Sequence, residues 1–459
     1  PVLPIFKLLA EKGNIEEQMM YNTYNMGLGM VLAVDAADVD KTMEAIKVSV
    51  VVPVYNVDEF LDNTLSDITG QTLREIEIIC VDDGSTDNSC KIIEEWMEKD
   101  SRIQLIRQKN QYAGVARNNG LKQAHGKYVI FWDADDLFEH NALEVMYAQA
   151  EQENSDICIC EARKYDNAKE KYIPSDAYLK EDLLPGKQTF NKFDVPDYIF
   201  NLTNNVPWNK LYLKEFITKN KLQYQAIKQA NDTYFTIMAL FLAERITYVK
   251  DVLIAYRVNN DGSLSGKASD TVFCAYDSWL YAKEHIEKYP DFNLVWFSFL
   301  NRALSGFYHA LNIQTTFESY EKLYRKLVEE GFHEFGLDEC TEENIYAVWM
   351  YKDMQKMYET EPADFLVQKS ITRRVNNENN NVRRKILREK NAVLRENVQA
   401  LKEDKKTLQS DKKKLQEEKK KLEGEKKKLQ KEIDNIKQSK AYRLGNKLLW
   451  LPRKVVKRG

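Results

Sequence analysis

Three carboxylates within four residues, Asp133, Asp135 and Asp136, end the stretch K-Y-V-I-F-W-D-A-D-D. Acids this close repel one another and are costly to take out of water, so a fold that gathers them usually supplies a cation as partner. Mg²⁺ or Mn²⁺ with a phosphorylated ligand suits such a set; an acidic surface loop capping the next helix is the bland alternative. Other residue types point the same way. Tyr55, after Pro53, can stack on or border a nucleobase, and Pro53 leaves its strand end stiff and without a backbone donor. Asp83 in V-D-D-G-S-T-D can accept a hydrogen bond from an imide N–H such as uracil presents, and Gly84 permits the close turn after it. Arg117 in A-R-N-N-G has a fork that can hold a phosphate, or is a solvated helix residue. Asp87 reads as a helix cap.

Positioning these groups requires a sheet. Val48–Val54, Ile76–Val81, Ile103–Ile106 and Tyr128–Trp132 are apolar runs of strand length. Helical spacing separates them at Glu59–Ile68, Asn88–Glu98 and Ala113–Ala124. Strands alternating with helices imply an α/β fold with a mainly parallel, doubly wound sheet, in which ligands sit beyond the carboxyl ends of the strands. Tyr55, Asp83 and the acidic cluster all fall at such ends. Asp156–Cys160 reads as a further strand, residues 162–205 as a polar, irregular region facing a substrate, and Arg245–Val249 and Val252–Arg257 as two more strands. The segment A-N-D-T-Y-F opens an apolar helix running to Leu242, so Asn231 or Asp232 can cap it; Trp208 in P-W-N-K-L-Y can lie beside a bound substrate or pack in the core.

V-S-V-V-V-P-V-Y-N, V-D-D-G-S-T-D, A-R-N-N-G-L-K-Q-A-H-G-K-Y and F-W-D-A-D-D, in this order and spacing, resemble the nucleotide-sugar half of family 2 glycosyltransferases of the GT-A fold over about residues 47–260. The resemblance implies that Pro53, Tyr55, Glu59 and Asp83 line a uridine pocket. It matches Asp133 and Asp135 to the D-x-D, with Asp135 as the direct ligand of Mn²⁺ or Mg²⁺, and leaves Asp136 to hold the loop. Asp232 falls where the family places its catalytic base, in a motif usually written with Glu before the Asp; here Asn231 stands instead. Arg257 and Ser263 match a loop that in many relatives closes over the diphosphate. The implied activity is inverting transfer from a nucleotide sugar, UDP-linked, to a glycan or lipid-linked acceptor hydroxyl, making a β-linked surface glycan at the cytoplasmic face of a bacterial inner membrane. Two other classes compete. A sugar nucleotidyltransferase would carry a Gly-rich loop with Arg and Lys where this chain reads P-V-Y-N-V-D-E, and a non-catalytic scaffold would use the globular body only to bind nucleotide.

Composition divides the rest of the chain. Residues 382–459 hold 27 Lys and Arg against 11 Asp and Glu, a surplus of 16, so the total of −4 leaves −20 on residues 1–381. Residues 1–46 resemble a fragment of phosphoribosylformylglycinamidine cyclo-ligase, expected to be a fused or misjoined piece without activity. Residues 47–264 form the GT-A domain, and residues 265–370 have the spacing of a helical subdomain. Residues 371–381, with N-N-E-N-N-N, read as a linker. From 382 to 438 leucine recurs every seventh residue from Leu387 to Leu429, followed by Ile436, which is the ladder of a coiled coil and of a homodimer joined through it. Four lysines at the facing positions weaken that seam, and the interleaved acids argue against nucleic acid as partner. Residues 439–459 contain no acid and combine Leu, Tyr and Trp with Lys and Arg, the composition of a segment lying on an anionic membrane or packing on the coil. No apolar run is long enough to cross a membrane, and no signal peptide is read. The six cysteines lack zinc-type pairing and read as reduced core thiols of a cytoplasmic protein.

Overall fold

The computed structural model describes residues 46–173, 178–258 and 271–450. The fragment at residues 1–45, Ser263 and the end of the basic tail at residues 451–459 lie outside the described residues. The four predicted strands form as β1 (Val48–Val54), β2 (Ile76–Asp82), β3 (Ile103–Arg107) and β4 (Tyr128–Phe131), with α1 (Asp58–Thr69), α2 (Ser89–Lys99) and α3 (Tyr112–Gln123) between them. β5 (Leu137–Phe138), α4 (Ala142–Glu153), β6 (Ile157–Asp166), β7 (Lys171–Ile173), β8 (Thr189–Phe190), β9 (Lys210–Leu213), α5 (Lys214–Lys219), α6 (Thr233–Leu242) and β10 (Ile246–Val258) follow. The sheet runs β3-β2-β1-β4-β9-β6-β10-β5, with β7 added to β6 and β8 to β10.

β1, β2, β3 and β4 pair in parallel, so their carboxyl ends share one edge. Beyond β4 the sheet is mixed rather than mainly parallel, because β9 runs antiparallel to both β4 and β6. The two strands expected over residues 245–257 are one, β10, paired in parallel with β6. Register shifts between Val249 and Val252 and between Val252 and Ile254 absorb the polar break that the sequence presents as an end.

Alternation along the strands gives the sheet two apolar faces. Val48, Val50, Val52 and Val54 pack with Leu61, Leu65, Ile93 and Met146, so α1, α2 and α4 cover one face. Cys158 and Cys160 both point into this core, as the strand alternation predicts; Cys90, Cys274 and Cys340 are only half-buried, and all six cysteines are free. Val51, Val81 and Phe131 face the other way, toward Ala116 of α3, Phe235 of α6 and a helical region. That region comprises α7 (Cys274–Ile286), α8 (Phe292–Asn312), α9 (Phe317–Lys326) and α10 (Val348–Glu359). Its Phe299, Phe335 and Met357 belong to the same core as Val51, so these helices complete the packing of the sheet, and the described residues up to Leu366 form one compact unit.

The second unit begins at Val367, and α11 (Pro362–Gln438), which supplies most of its described residues, passes unbroken through the N-N-E-N-N-N stretch expected to be a linker. Each Asn costs a helix only about 0.7 kcal/mol relative to Ala, and neither Pro nor Gly interrupts that stretch. α12 (Lys440–Trp450) starts after Ser439, whose Oγ accepts from the Tyr442 amide at 3.2 Å.

At the opposite ends of the parallel strands from the acidic cluster, Glu77 is a buried carboxylate satisfied by Ser49 Oγ at 2.6 Å and by the amides of His125 at 2.6 Å and Gly126 at 3.1 Å. Replacing Glu77 by Leu strands these donors. The expected outcome is a loss of about 3 kcal/mol of stability, read as a lower urea midpoint; an unchanged midpoint would contradict this role.

Candidate active site

The parallel strand ends supply the first half of the site. After β2, Asp82 turns back to accept from the amides of Gly84 and Ser85, and Gly84 takes φ +80°, a conformation open to glycine at little cost. This turn aims Asp83, buried, toward α3, where its Oδ1 accepts from Gln108 Nε2 at 2.7 Å and from the Gln111 amide at 2.8 Å. Tyr55 stands half-exposed beyond β1, and Glu59 is exposed in the first turn of α1. Asp87 holds the two helix starts together, accepting from the amides of Asp58 and Ser89 at 3.0 Å each, while Asp58 accepts in turn from the Asn88 amide. Asp87 is therefore the cap that the sequence suggests.

The acidic loop after β4 is held from several sides. Trp132 and Phe138 stack across it with ring centroids 3.9 Å apart, and Thr64 Oγ1 donates to the Asp136 carbonyl. Asp136 is fully buried; its Oδ1 accepts from the Arg257 amide at 2.9 Å, while Oδ2 has no partner among the described residues. Burial, then the charges of Asp135 and Asp133, push its pKa well above the ordinary carboxylate range. Arg257 is buried in β10, with Nε donating to the Asp135 carbonyl at 2.7 Å and its guanidinium over the Phe60 ring. By sequence Arg257 belongs to a loop over a diphosphate. It is instead a clamp on the acidic loop, because β10 continues through it.

Across the cleft the chain approaches from α6. Gly114 of α3 allows this: a Cβ there would lie 2.2 Å from the Gln225 carbonyl oxygen and 3.0 Å from Asn231 Cβ. Arg117, one turn further on and buried, donates through one nitrogen to Asp133 Oδ1 at 2.6 Å and through another to Asn231 Oδ1 at 2.9 Å. Burial opposes its charge, but Asp133, Tyr224 and Asp232 outweigh this and raise its pKa. Asp232 sits at the start of α6 without capping it, half-buried and with no side-chain hydrogen bond among the described residues. Burial, aided by Asp133 and opposed by Arg117 and Lys210, lifts its pKa above the ordinary range. Such a carboxylate is more basic than one in water and free to take a proton.

Trp208 is 2% exposed, stacked with Tyr256 at 5.9 Å, and its carbonyl accepts from Trp132 Nε1. It packs the core and has no face for a sugar. Pro53 lies near the end of β1, opposite Val81.

Two cations in this region carry no signal in the sequence. Lys210 is fully buried and donates to the carbonyls of Asn204 and Val206 and to Asn209 Oδ1, at 2.7, 2.8 and 2.8 Å. Burial pulls its pKa down to about 7, although three acceptors around one amine are the pattern of an ammonium. Arg302 of α8 donates to Asn205 Oδ1 at 3.0 Å; burial pulls it down to about 10 and Asp232 pulls it back up. Lys210 stands in P-W-N-K-L-Y, two residues from the more conspicuous Trp208; Arg302 lies in a helix with no motif.

Among the described residues no three Asp, Glu, His or Cys side chains gather into a metal cage. With Asp136 buried and turned to the Arg257 amide, the loop's D-x-D carboxylates are Asp133 and Asp135, a donor set that suits Mg²⁺ or Mn²⁺ only when phosphate oxygens complete the shell. Gly114→Ala is expected to push the 225–231 segment from α3 and cost about 1–3 kcal/mol in urea unfolding. An unchanged midpoint would show that the contact is not tight.

Comparison with known proteins agrees with this geometry. A family model described as glycosyl transferase family 2 matches residues 49–220. The cholesterol galactosyltransferase of Borreliella burgdorferi is 34% identical over 231 residues, covering 49% of this chain and 63% of that protein. Glycosyltransferase GlyG of Streptococcus pneumoniae is 32% identical over 215 residues, covering 46% of this chain and 70% of that protein. The chain therefore spans less than two thirds of the first relative and slightly more of the second. The crystal structure of S. aureus TarS 1–349 in complex with UDP-GlcNAc matches with a TM-score of 0.50 and 19% identity, over 68% of this chain and 91% of that one, a likeness of fold. With a mixed α/β sheet of GT-A type, the D-x-D strand end and these relatives, the chain belongs to the family 2 glycosyltransferases.

Proposed function

We propose that this chain is an inverting glycosyltransferase that moves a sugar from a nucleotide donor, UDP-linked, to an acceptor hydroxyl in the synthesis of a cell-surface polysaccharide or glycan. The observation that carries this reading is the hydrogen-bonded chain Asp133–Arg117–Asn231, which ties the acidic strand end to the start of α6, where Asp232 stands unbonded. A donor-side carboxylate and a candidate base are thereby fixed on opposite sides of one cleft.

Tyr55 and Pro53 border the base, Glu59 lies at the rim, and Asp83 Oδ2, which has no partner among the described residues, takes the imide N–H. Asp133 serves the ribose or the cation and Asp135 the cation; a bound Mn²⁺ or Mg²⁺ would neutralise charge developing on the departing diphosphate. Asp232 removes the acceptor proton as the oxygen attacks the anomeric carbon from the face opposite the nucleotide, so no covalent enzyme intermediate is needed. Its raised pKa favours the proton transfer, and the base must be ionised to act. The rate is expected to fall as pH drops through that raised value, which lies above the roughly 3.9 of an unperturbed Asp.

Measuring transfer and donor hydrolysis, with and without Mn²⁺, tests this. Asp232→Asn is expected to lower turnover by about 10²-fold or more while nucleotide affinity is kept, and the acidic limb of the pH profile is expected to disappear with it. Unchanged turnover would remove Asp232 from the mechanism, and metal-independent turnover would remove the role given to Asp135. Nucleotidyl transfer to a sugar phosphate, or nucleotide binding without any turnover, would support the two competing classes instead.

The second unit is read as an assembly and anchoring device. In the single chain Leu401, Leu408, Leu415 and Leu422 are 64–69% exposed, a ladder that a second copy would cover. At helical spacing Lys440, Arg443 and Lys447 share one side of α12, with Tyr442 turned away from them and Leu444 at their border, the pattern of a helix lying on an anionic membrane at the cytoplasmic face. Among the described residues no helix is long and apolar enough to cross a membrane. Deleting residues 439–459 is expected to release the protein from phosphatidylglycerol vesicles in sedimentation while leaving it dimeric by light scattering; retained vesicle binding, or a monomeric full-length protein, would refute the respective part.

A further inference from the structure

The carboxylate assigned as base stands among more positive charge than it can balance. Asn204, Asn205 and Val206 form a short segment whose acceptors gather two cations: the carbonyls of Asn204 and Val206 hold Lys210, and Asn205 Oδ1 holds Arg302 Nε. The same segment is tied to α6, because Thr236 Oγ1 donates to the Asn205 carbonyl at 2.8 Å and the Thr236 amide donates to the Asp232 carbonyl at 2.9 Å. Arg302 and Lys210 are thus fixed beside the first turn of the Asp232 helix, where the charge of Asp232 acts on both of them and that of Asp133 on neither.

The hydrogen-bond partners of these two cations are neutral oxygens. Arg117, by contrast, has its own carboxylate in Asp133. Among the described residues no ion pair joins Arg302 or Lys210 to an acid, and the Arg302 guanidinium spends only Nε, leaving its two terminal nitrogens without a hydrogen bond. Two turns further along α8, His309 is held below its ordinary pKa by burial and by the charges of Arg302 and Lys164, so the positive region continues past Arg302. Arg302 is half-buried, which leaves its terminal nitrogens open to a ligand, and its planar fork matches an oxyanion with two oxygens. A donor diphosphate held at Asp133 and Asp135 would stand at carboxylates whose charges do not act on this pair, so the anion left to the pair is the acceptor's.

We propose that Arg302, supported by Lys210, binds an oxyanion carried by the acceptor, so that the acceptor is an anionic molecule with a phosphate or carboxylate near its reactive hydroxyl. This rests on the glycosyl-transfer reading of the site. The terminal nitrogens of Arg302 grip two oxygens of the anion, which orients the hydroxyl toward Asp232, and a neutral polyol of the same shape lacks this hold.

The test uses the full-length protein loaded with UDP, so that the diphosphate site is filled, and titrates it calorimetrically with glycerol 1-phosphate, glycerate and glycerol. Binding of either anion, no binding of glycerol, and at least a tenfold loss of anion affinity in Arg302→Gln at unchanged UDP affinity are the expected results; the stronger anion identifies phosphate or carboxylate as the group recognised. Arg302→Lys, which keeps the charge, is expected to retain part of the affinity and controls for folding. Equal affinity for glycerol, anion binding unaltered in Arg302→Gln, or no anion binding to the UDP-loaded protein would overturn the proposal. Failure of UDP to bind would instead count against the donor reading, and titration of the unloaded protein with the same three probes would still decide the role of Arg302.

Discussion

The two halves of the cleft are held in place by one buried guanidinium. Arg117 spends its fork on Asp133 from the strand-end side and on Asn231 from the α6 side, at 2.6 and 2.9 Å. A buried cation tolerates this position only while its partners remain, so the geometry of each side depends on the other. α3 can bring Arg117 so close because its inward residues are small: Gly114, Ala116 and Gly120 are buried against the sheet and the 225–231 segment. The helix that looks least amphipathic in the sequence is the one that sets the width of the cleft.

Charge is distributed unevenly across that cleft. In the acidic loop Asp136 is set apart from the other two acids, since it is fully buried and serves with Arg257 to brace the loop. Asp133 is already answered by Arg117. Asp135 has its carbonyl fixed by Arg257, so the loop that presents it has little freedom. On the other side, among the described residues, Asp232 is the acid whose charge acts on Arg117, Lys210 and Arg302 alike. These cations hold down a basicity that burial would otherwise raise further.

The departure at Asn231 acquires a physical meaning in this setting. The amide oxygen preserves the hydrogen bond that Arg117 requires, while the charge of the Glu usual in the family is absent. Arg117 therefore exerts its field on Asp133 and Asp232 rather than on a second carboxylate beside Asp232. The substitution keeps the scaffold and changes the electrostatics.

Much of this protein is written in local sequence. Apolar runs of strand length ending at Tyr55, Asp83 and Asp133, and the turn at Gly84, are properties of neighbouring residues, so the parallel half of the sheet and its binding edge follow from spacing alone. The heptad ladder is local in the same sense, and the helix over it forms as its period demands. Roles that depend on distant partners are decided only by the tertiary structure. Trp208 suits a sugar or the core equally until Tyr256 closes over it; Arg257 has the chemistry of a ligand-gripping residue until β10 carries it beneath the acidic loop. Arg302, 70 residues beyond Asp232 in a helix without a motif, has no local signal at all. Chemistry in the sequence names the groups that can act, but burial and charge pairing, which come from contacts far apart in the chain, determine which of them do.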